Sequence, residues 1–133
     1  MTVREMLRTH PASIADAETL ARCIEECFDC SRSCTACADA CLGEPDAAEL
    51  IRCVRLNLDC ADVCIATGRI VTRQTEPQAE LTRAIVQACA EACRRCGEEC
   101  ERHAGHHDHC RVCAEACRRC EQGCEDFLSV LAA

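Results

Sequence analysis

The spacing of cysteine along this chain is the feature that most restricts its fold. Within each cysteine-rich stretch, consecutive cysteines are mostly four or three residues apart. Such steps place side chains on one face of an α-helix, at the a and d positions of a heptad repeat. The eighteen members, termed the cysteine column, are Cys23, Cys27, Cys30, Cys34, Cys37, Cys41, Cys53, Cys60, Cys64, Cys89, Cys93, Cys96, Cys100, Cys110, Cys113, Cys117, Cys120 and Cys124. We therefore predict helices that direct their thiols into a shared interior.

Glycine and proline divide the chain into four long segments. Gly43, Pro45, Pro77 and Gly105 interrupt a sequence otherwise rich in Ala, Glu, Arg and Leu, which favour helices. The predicted helices cover about 14–42, 46–73, 76–103 and 107–131. Short connections make successive helices antiparallel. The prediction is an all-α, up-down-up-down four-helix bundle that forms one domain over residues 1–133, with a short helical turn near the N-terminus.

The two ends of the predicted bundle differ in chemistry. Following the a and d positions beyond the cysteines gathers apolar side chains at one end, termed the plug: Leu20, Val71, Val86, Phe127 and Leu131. The opposite end, termed the mouth, gathers polar and ligand-bearing residues: Cys41, His103 and His106, with His107 and His109 beside them. The mouth is the predicted opening to the interior.

Charge and the N-terminal sequence exclude several functional classes. The formal net charge of −8 argues against nucleic-acid and anionic-membrane partners, which are bound through basic patches. Residues 1–10 contain no apolar stretch of the length that a signal peptide needs. We therefore expect a cytoplasmic protein whose thiols remain reduced.

Metal binding explains the cysteine column better than packing or disulfides. Leu or Ala would fill a core without reactive thiols, and residues three or four apart on one helix are badly directed for a disulfide. Soft thiolates select Cu(I), zinc or iron–sulfur clusters. Zinc and iron–sulfur sites use four thiolates per site and need no continuous column.

Charge balance favours Cu(I) among these metals. One Cu(I) per thiolate leaves a neutral core, whereas zinc held by four thiolates leaves two excess negative charges at each site. If each sulfur bridges two ions, the capacity is roughly one copper per cysteine. A zinc buffer and a thiol redox protein remain the alternatives.

The chain resembles the cytosolic branch of the bacterial copper storage proteins over nearly its whole length. The resemblance rests on eight CxxxC pairs: Cys23–Cys27, Cys30–Cys34, Cys37–Cys41, Cys60–Cys64, Cys89–Cys93, Cys96–Cys100, Cys113–Cys117 and Cys120–Cys124. It implies a preformed bundle that stores Cu(I), a homotetramer of such bundles, and no catalysis. Copper chaperones or small thiols are the expected donors.

The predicted metal ligands are the whole cysteine column together with His103, His106 and Asn57. Asn57 occupies the register position between Cys53 and Cys60, where its oxygen either binds metal or only accepts hydrogen bonds. Metal binding by His107 and His109 is left open. His10 is expected near the plug, in a structural or exposed position.

Two further surfaces are predicted outside the interior. Carboxylates that lie off the a and d positions, among arginines, are expected to form a solvated face: Glu25, Glu26, Glu91, Glu98, Glu99, Glu115 and Glu121. The second helix also carries a second apolar stripe, formed by Ile51, Val54, Leu58 and Ile65, with Leu56 and Ile70 nearby. Because a bundle helix needs one apolar face, this stripe predicts contact with another subunit.

Overall fold

The protein is a bundle of four long helices preceded by a short one. The computed structural model describes residues 2–132 as α1 (Thr2–Arg8), α2 (Ala17–Leu42), α3 (Ile51–Thr72), α4 (Ala79–His103) and α5 (Asp108–Ala132), with a 3₁₀ turn at Ala47–Leu50. Helices α2 and α4 occupy opposite corners, and each packs against both α3 and α5. Residues 2–132 contain no strand. The predicted all-α, up-down-up-down four-helix bundle is confirmed.

The helix ends differ slightly from the predicted bounds, for local backbone reasons. Helix α2 begins at Ala17 because Asp16 has a left-handed conformation (φ 54°, ψ 39°), which a right-handed helix cannot include. Gln78 is extended (φ −93°, ψ 102°), so α4 begins at Ala79 rather than near residue 76. Helix α5 begins at Asp108. These shifts leave the four-helix order unchanged.

The interior is made almost entirely of cysteine. All eighteen members of the cysteine column are buried, and none is more than 2% exposed. At the plug, Leu20, Val71, Val86 and Phe127 are also buried, and Leu131 is half-buried. Helix α1 packs on α2, where Arg4 bonds to Glu18. The bundle therefore has a sulfur interior closed by hydrocarbon at one end.

The outer surface carries ion pairs, with one exception to the predicted solvated face. Glu91 pairs with Arg94 at 2.7 Å on the exposed side of α4, as expected. Glu99, however, is buried at 7% exposure. It faces α3, where the Arg52 side chain supplies a compensating charge at 3.4 Å. The prediction that Glu99 lies on a solvated face was wrong.

Membrane insertion can be assessed from the helices. Among residues 2–132, every helix is too polar or too short to span a bilayer.

We predict that the plug contributes strongly to stability. Leu20→Ala should lower the free energy of unfolding of the reduced protein by about 2–5 kcal/mol, because it leaves a cavity at a side chain that is 1% exposed. Leu81→Ala is the control, since Leu81 is 54% exposed, and it should change stability by about 0.5 kcal/mol or less. Urea unfolding followed by circular dichroism measures both, and equal effects would contradict a packed plug.

Candidate metal centre

The heptad spacing brings sulfur atoms from opposite helices together on the bundle axis. The Sγ atoms of Cys27 and Cys89 lie 3.8 Å apart across the α2–α4 diagonal. Those of Cys64 and Cys120 lie 4.0 Å apart across the α3–α5 diagonal. Every long helix therefore contributes thiols to one narrow central space.

The CxxxC pairs extend these contacts along each helix. The Sγ atoms of Cys30 and Cys34, one helical turn apart on α2, are separated by 3.8 Å. The equivalent distance between Cys60 and Cys64 on α3 is 3.7 Å. All eighteen thiols are free. Sulfurs at this separation can share a soft metal ion between them.

The sulfurs form overlapping groups of four rather than isolated sites. Within each group the ligand atoms lie within 4.8 Å of one another. Four such groups are Cys27, Cys89, Cys120 and Cys124; Cys30, Cys64, Cys93 and Cys120; Cys30, Cys34, Cys60 and Cys117; and Cys34, Cys96, Cys113 and Cys117. Cys120, Cys30, Cys34 and Cys117 each belong to two of these groups. The groups therefore run without a break from the plug towards the mouth.

Asn57 replaces a thiol within this column. Its side chain is fully buried, and its Oδ1 accepts hydrogen bonds from the Cys96 thiol at 2.9 Å and the Cys113 thiol at 3.2 Å. Its Nδ2 donates to Cys53 Sγ at 3.7 Å. The amide oxygen is thus directed at sulfurs of the column, where it accepts hydrogen bonds. Metal binding by Asn57 stays a prediction.

A mixed cysteine and histidine group lies at the mouth. Cys37, Cys41, Cys110 and His109 present ligand atoms within 4.8 Å of one another. The Nδ1 atom of His109 is 3.4 Å from Cys37 Sγ and 3.6 Å from Cys110 Sγ. The sequence left metal binding by His109 undecided, because the residue was assigned to a connection. In the structure, His109 lies in the first turn of α5.

The two histidines predicted as ligands occupy less central positions. His103 is the last residue of α4, and its Nε2 lies 3.1 Å from Glu99 Oε2. His106 is exposed in the turn before α5, because the helical register assumed for it begins only at Asp108. Metal binding by His103 and His106 stays a prediction.

The remaining histidines are held by polar partners. Both ring nitrogens of His107 face carboxylates, with Nδ1 3.0 Å from Glu44 and Nε2 3.1 Å from Asp46. The hydrogen bond with Asp46 raises the pKa of His107. His10 accepts a hydrogen bond from the backbone of Ala12 and lies 3.4 Å from Thr75, near the plug.

Burial favours the protonated form of two thiols at the mouth. Burial raises the pKa of the Cys41 thiol to about 11 and also raises that of Cys110. Neutral thiols impose no charge on the interior, so metal that binds must displace their protons. The bundle can therefore be folded before metal arrives.

Known proteins resemble this chain both in sequence and in fold. The sequence profile of the copper storage proteins, Csp, matches residues 16–129. The solved structure of the copper storage protein Ccsp from Streptomyces lividans, loaded with 10 copper equivalents, is 57% identical with a TM-score of 0.93, and the match covers 96% of this chain and 98% of that chain.

A second solved structure and one further relative agree. A structure of a cytosolic copper storage protein from Streptomyces lividans with five coppers is 60% identical with a TM-score of 0.83, covering 84% of this chain and 93% of that chain. The cysteine-rich protein YhjQ of Bacillus subtilis (strain 168) is 37% identical over 90 residues, which are 68% of this chain and 78% of the relative. The match to the family profile, over most of the length, shows that this chain belongs to the copper storage protein family.

Proposed function

We propose that this protein stores Cu(I), at roughly one ion per cysteine. The observation that carries the proposal is the unbroken series of four-sulfur groups that share members along the bundle axis. Shared sulfurs suit an ion that needs only two or three thiolates, because each thiolate can then bridge neighbouring ions. The Streptomyces lividans relative, whose structure was solved with 10 copper equivalents, supports this cargo.

The electrostatics of the interior favour Cu(I) over zinc. Among residues 2–132, the buried polar or charged side chains are Ser31, Asn57, Thr67, Thr82 and Glu99, none of them a cation. Several zinc ions with four thiolates each would leave excess negative charge that nothing buried here could balance. Cu(I) with one thiolate per ion adds no net charge.

Burial of the cysteines also favours a storage role over a redox role. A dithiol oxidoreductase needs low-pKa, accessible cysteines, whereas every cysteine here is buried. We accordingly propose binding and release of the ion without catalysis, with the bundle acting as a single storage domain.

The proposed ligands are the cysteine column, Asn57 Oδ1, and histidines of the mouth. His109 joins the predicted His103 and His106, because its Nδ1 already contacts two thiols. Copper would be received at the mouth and would pass inward by exchange between neighbouring sulfurs. The plug closes the opposite end.

We further propose that the protein acts in the cytoplasm as a homotetramer, receiving copper from chaperones or small thiols. A relative described as cytosolic supports the location. The stripe predicted for subunit contact is exposed on α3, where Ile51 is 48%, Leu58 46% and Ile65 40% exposed. Burial of these side chains between subunits would remove apolar surface from water.

The decisive test is anaerobic titration of the reduced protein with Cu(I). We expect binding close to one copper per thiol, because the sulfurs are shared, and an unchanged helix content, because the bundle is already folded. Desalting with metal analysis measures the first, and circular dichroism the second. Saturation at about four or five ions, the number of separate four-thiolate sites, would contradict Cu(I) storage.

Loading from the mouth predicts that two equally buried cysteines differ. Cys110→Ala should slow uptake of the first copper equivalents severalfold, because Cys110 belongs to the mouth group. Cys124→Ala, near the plug, should leave that rate unchanged and lower the final capacity by about one ion. Anaerobic stopped-flow transfer from a coloured Cu(I) chelator measures both. Equal initial rates would argue against loading from this end.

The tetramer proposal predicts that charge on the α3 stripe separates the subunits. Leu58→Glu should reduce the mass measured by light scattering, because an unpaired carboxylate would be buried at the contact. Val112→Glu is the control, since Val112 is 47% exposed on α5, outside the stripe. A wild-type protein that is already monomeric would contradict the proposal.

A further inference from the structure

We propose that Glu44 is a positioning residue for copper uptake, which holds His109 in the tautomer whose Nδ1 lone pair is directed at the thiols of the mouth. The inference rests on the proposed function and adds to it a residue that binds no copper itself. Nothing in the cysteine pattern identifies this residue, because it lies in the connection after α2.

The geometry around His109 places its two ring nitrogens in different surroundings. Nε2 lies 2.7 Å from Glu44 Oε2. Nδ1 lies 3.4 Å from Cys37 Sγ and 3.6 Å from Cys110 Sγ. A carboxylate only accepts hydrogen bonds, so the proton of the neutral ring resides on Nε2. Nδ1 is thereby left with a lone pair facing the sulfurs.

Glu44 is itself fixed by several contacts. Its backbone N–H donates to the carbonyl oxygen of Cys41 at 3.2 Å, which ties it to a thiol-bearing residue of the mouth. Its Oε2 also lies 3.0 Å from His107 Nδ1, and His107 in turn contacts Asp46 at 3.1 Å. The His107 and His109 rings are stacked with centroids 5.4 Å apart. A single oxygen of Glu44, Oε2, therefore contacts the rings of both His107 and His109.

The chemical consequence concerns the first ion to arrive. Imidazole binds metal through a nitrogen that carries no proton, and a carboxylate on the other nitrogen fixes the ring and raises its basicity. Because Nδ1 carries no proton and faces the thiols, His109 can take Cu(I) from a donor and pass it to Cys37 or Cys110 by ligand exchange. The thiols deeper in the column lie beyond the reach of this carboxylate, so Glu44 affects uptake and not capacity.

The test compares Glu44→Ala with Asp46→Ala in the full chain. Asp46 is the matched control, because it lies in the same connection and contacts His107 but not His109. In the metal-free protein, ¹⁵N shifts of the His109 ring report which nitrogen carries the proton. Anaerobic transfer from a Cu(I)–bicinchoninate complex reports uptake, and saturation with excess Cu(I) reports capacity.

We expect Glu44→Ala to move His109 from the Nε2–H form towards a mixture of tautomers. It should also slow uptake of the first equivalents by about tenfold, within the range for loss of such a partner. Capacity and helix content should be unchanged. Glu44→Gln, whose amide oxygen can still accept from Nε2–H, should partly restore the tautomer and the rate of uptake. Asp46→Ala should leave the His109 tautomer and the rate of uptake as in the wild type.

Two outcomes would overturn the inference. Either an unchanged His109 tautomer and unchanged uptake in Glu44→Ala, or equal effects of Glu44→Ala and Asp46→Ala, would show that Glu44 has no specific effect on His109. Failure of the wild-type protein to fill with Cu(I) is a separate result, which would refute the proposed function instead.

Discussion

Everything in this structure depends on the match between the cysteine spacing and the pitch of the α-helix. Steps of four and three residues keep each thiol on the face that meets the other helices, so four surfaces contribute sulfur to one axis. The resulting diagonal contacts of 3.8–4.0 Å join side chains from opposite corners, such as Cys27 with Cys89 and Cys30 with Cys93. A shift of one position would turn a thiol from the axis towards solvent.

Protonation is what allows such an interior to exist without metal. A thiol packs as a small apolar group, whereas a column of thiolates would carry unbalanced charge. Asn57 is compatible with this arrangement because all its polar atoms find partners among the surrounding cysteines. The metal-free core is therefore held by packing and weak hydrogen bonds.

The sequence predicted the helices and the cysteine column because both follow from periodicity, which is a local property. The sequence did not predict features that depend on how helix ends and connections meet in space. His109 belongs to the first turn of α5, and its contact with Cys37 depends on where that helix begins. Glu99 has the polarity of a surface residue, yet it is buried, and Arg52 on another helix supplies a compensating charge. The role proposed for Glu44 depends on the approach of the connection after α2 to the first turn of α5.

The apolar closure at Leu20, Val71, Val86 and Phe127 has a consequence for the order in which ions are exchanged. If copper enters and leaves only at the mouth, as proposed, the column behaves as a stack, and the ions that arrive last are the first available to leave. Ions deposited early would then be recovered only after those nearer the opening had gone. The innermost thiols would then hold a long-term reserve, while the outermost ones would serve the immediate demand of the cell.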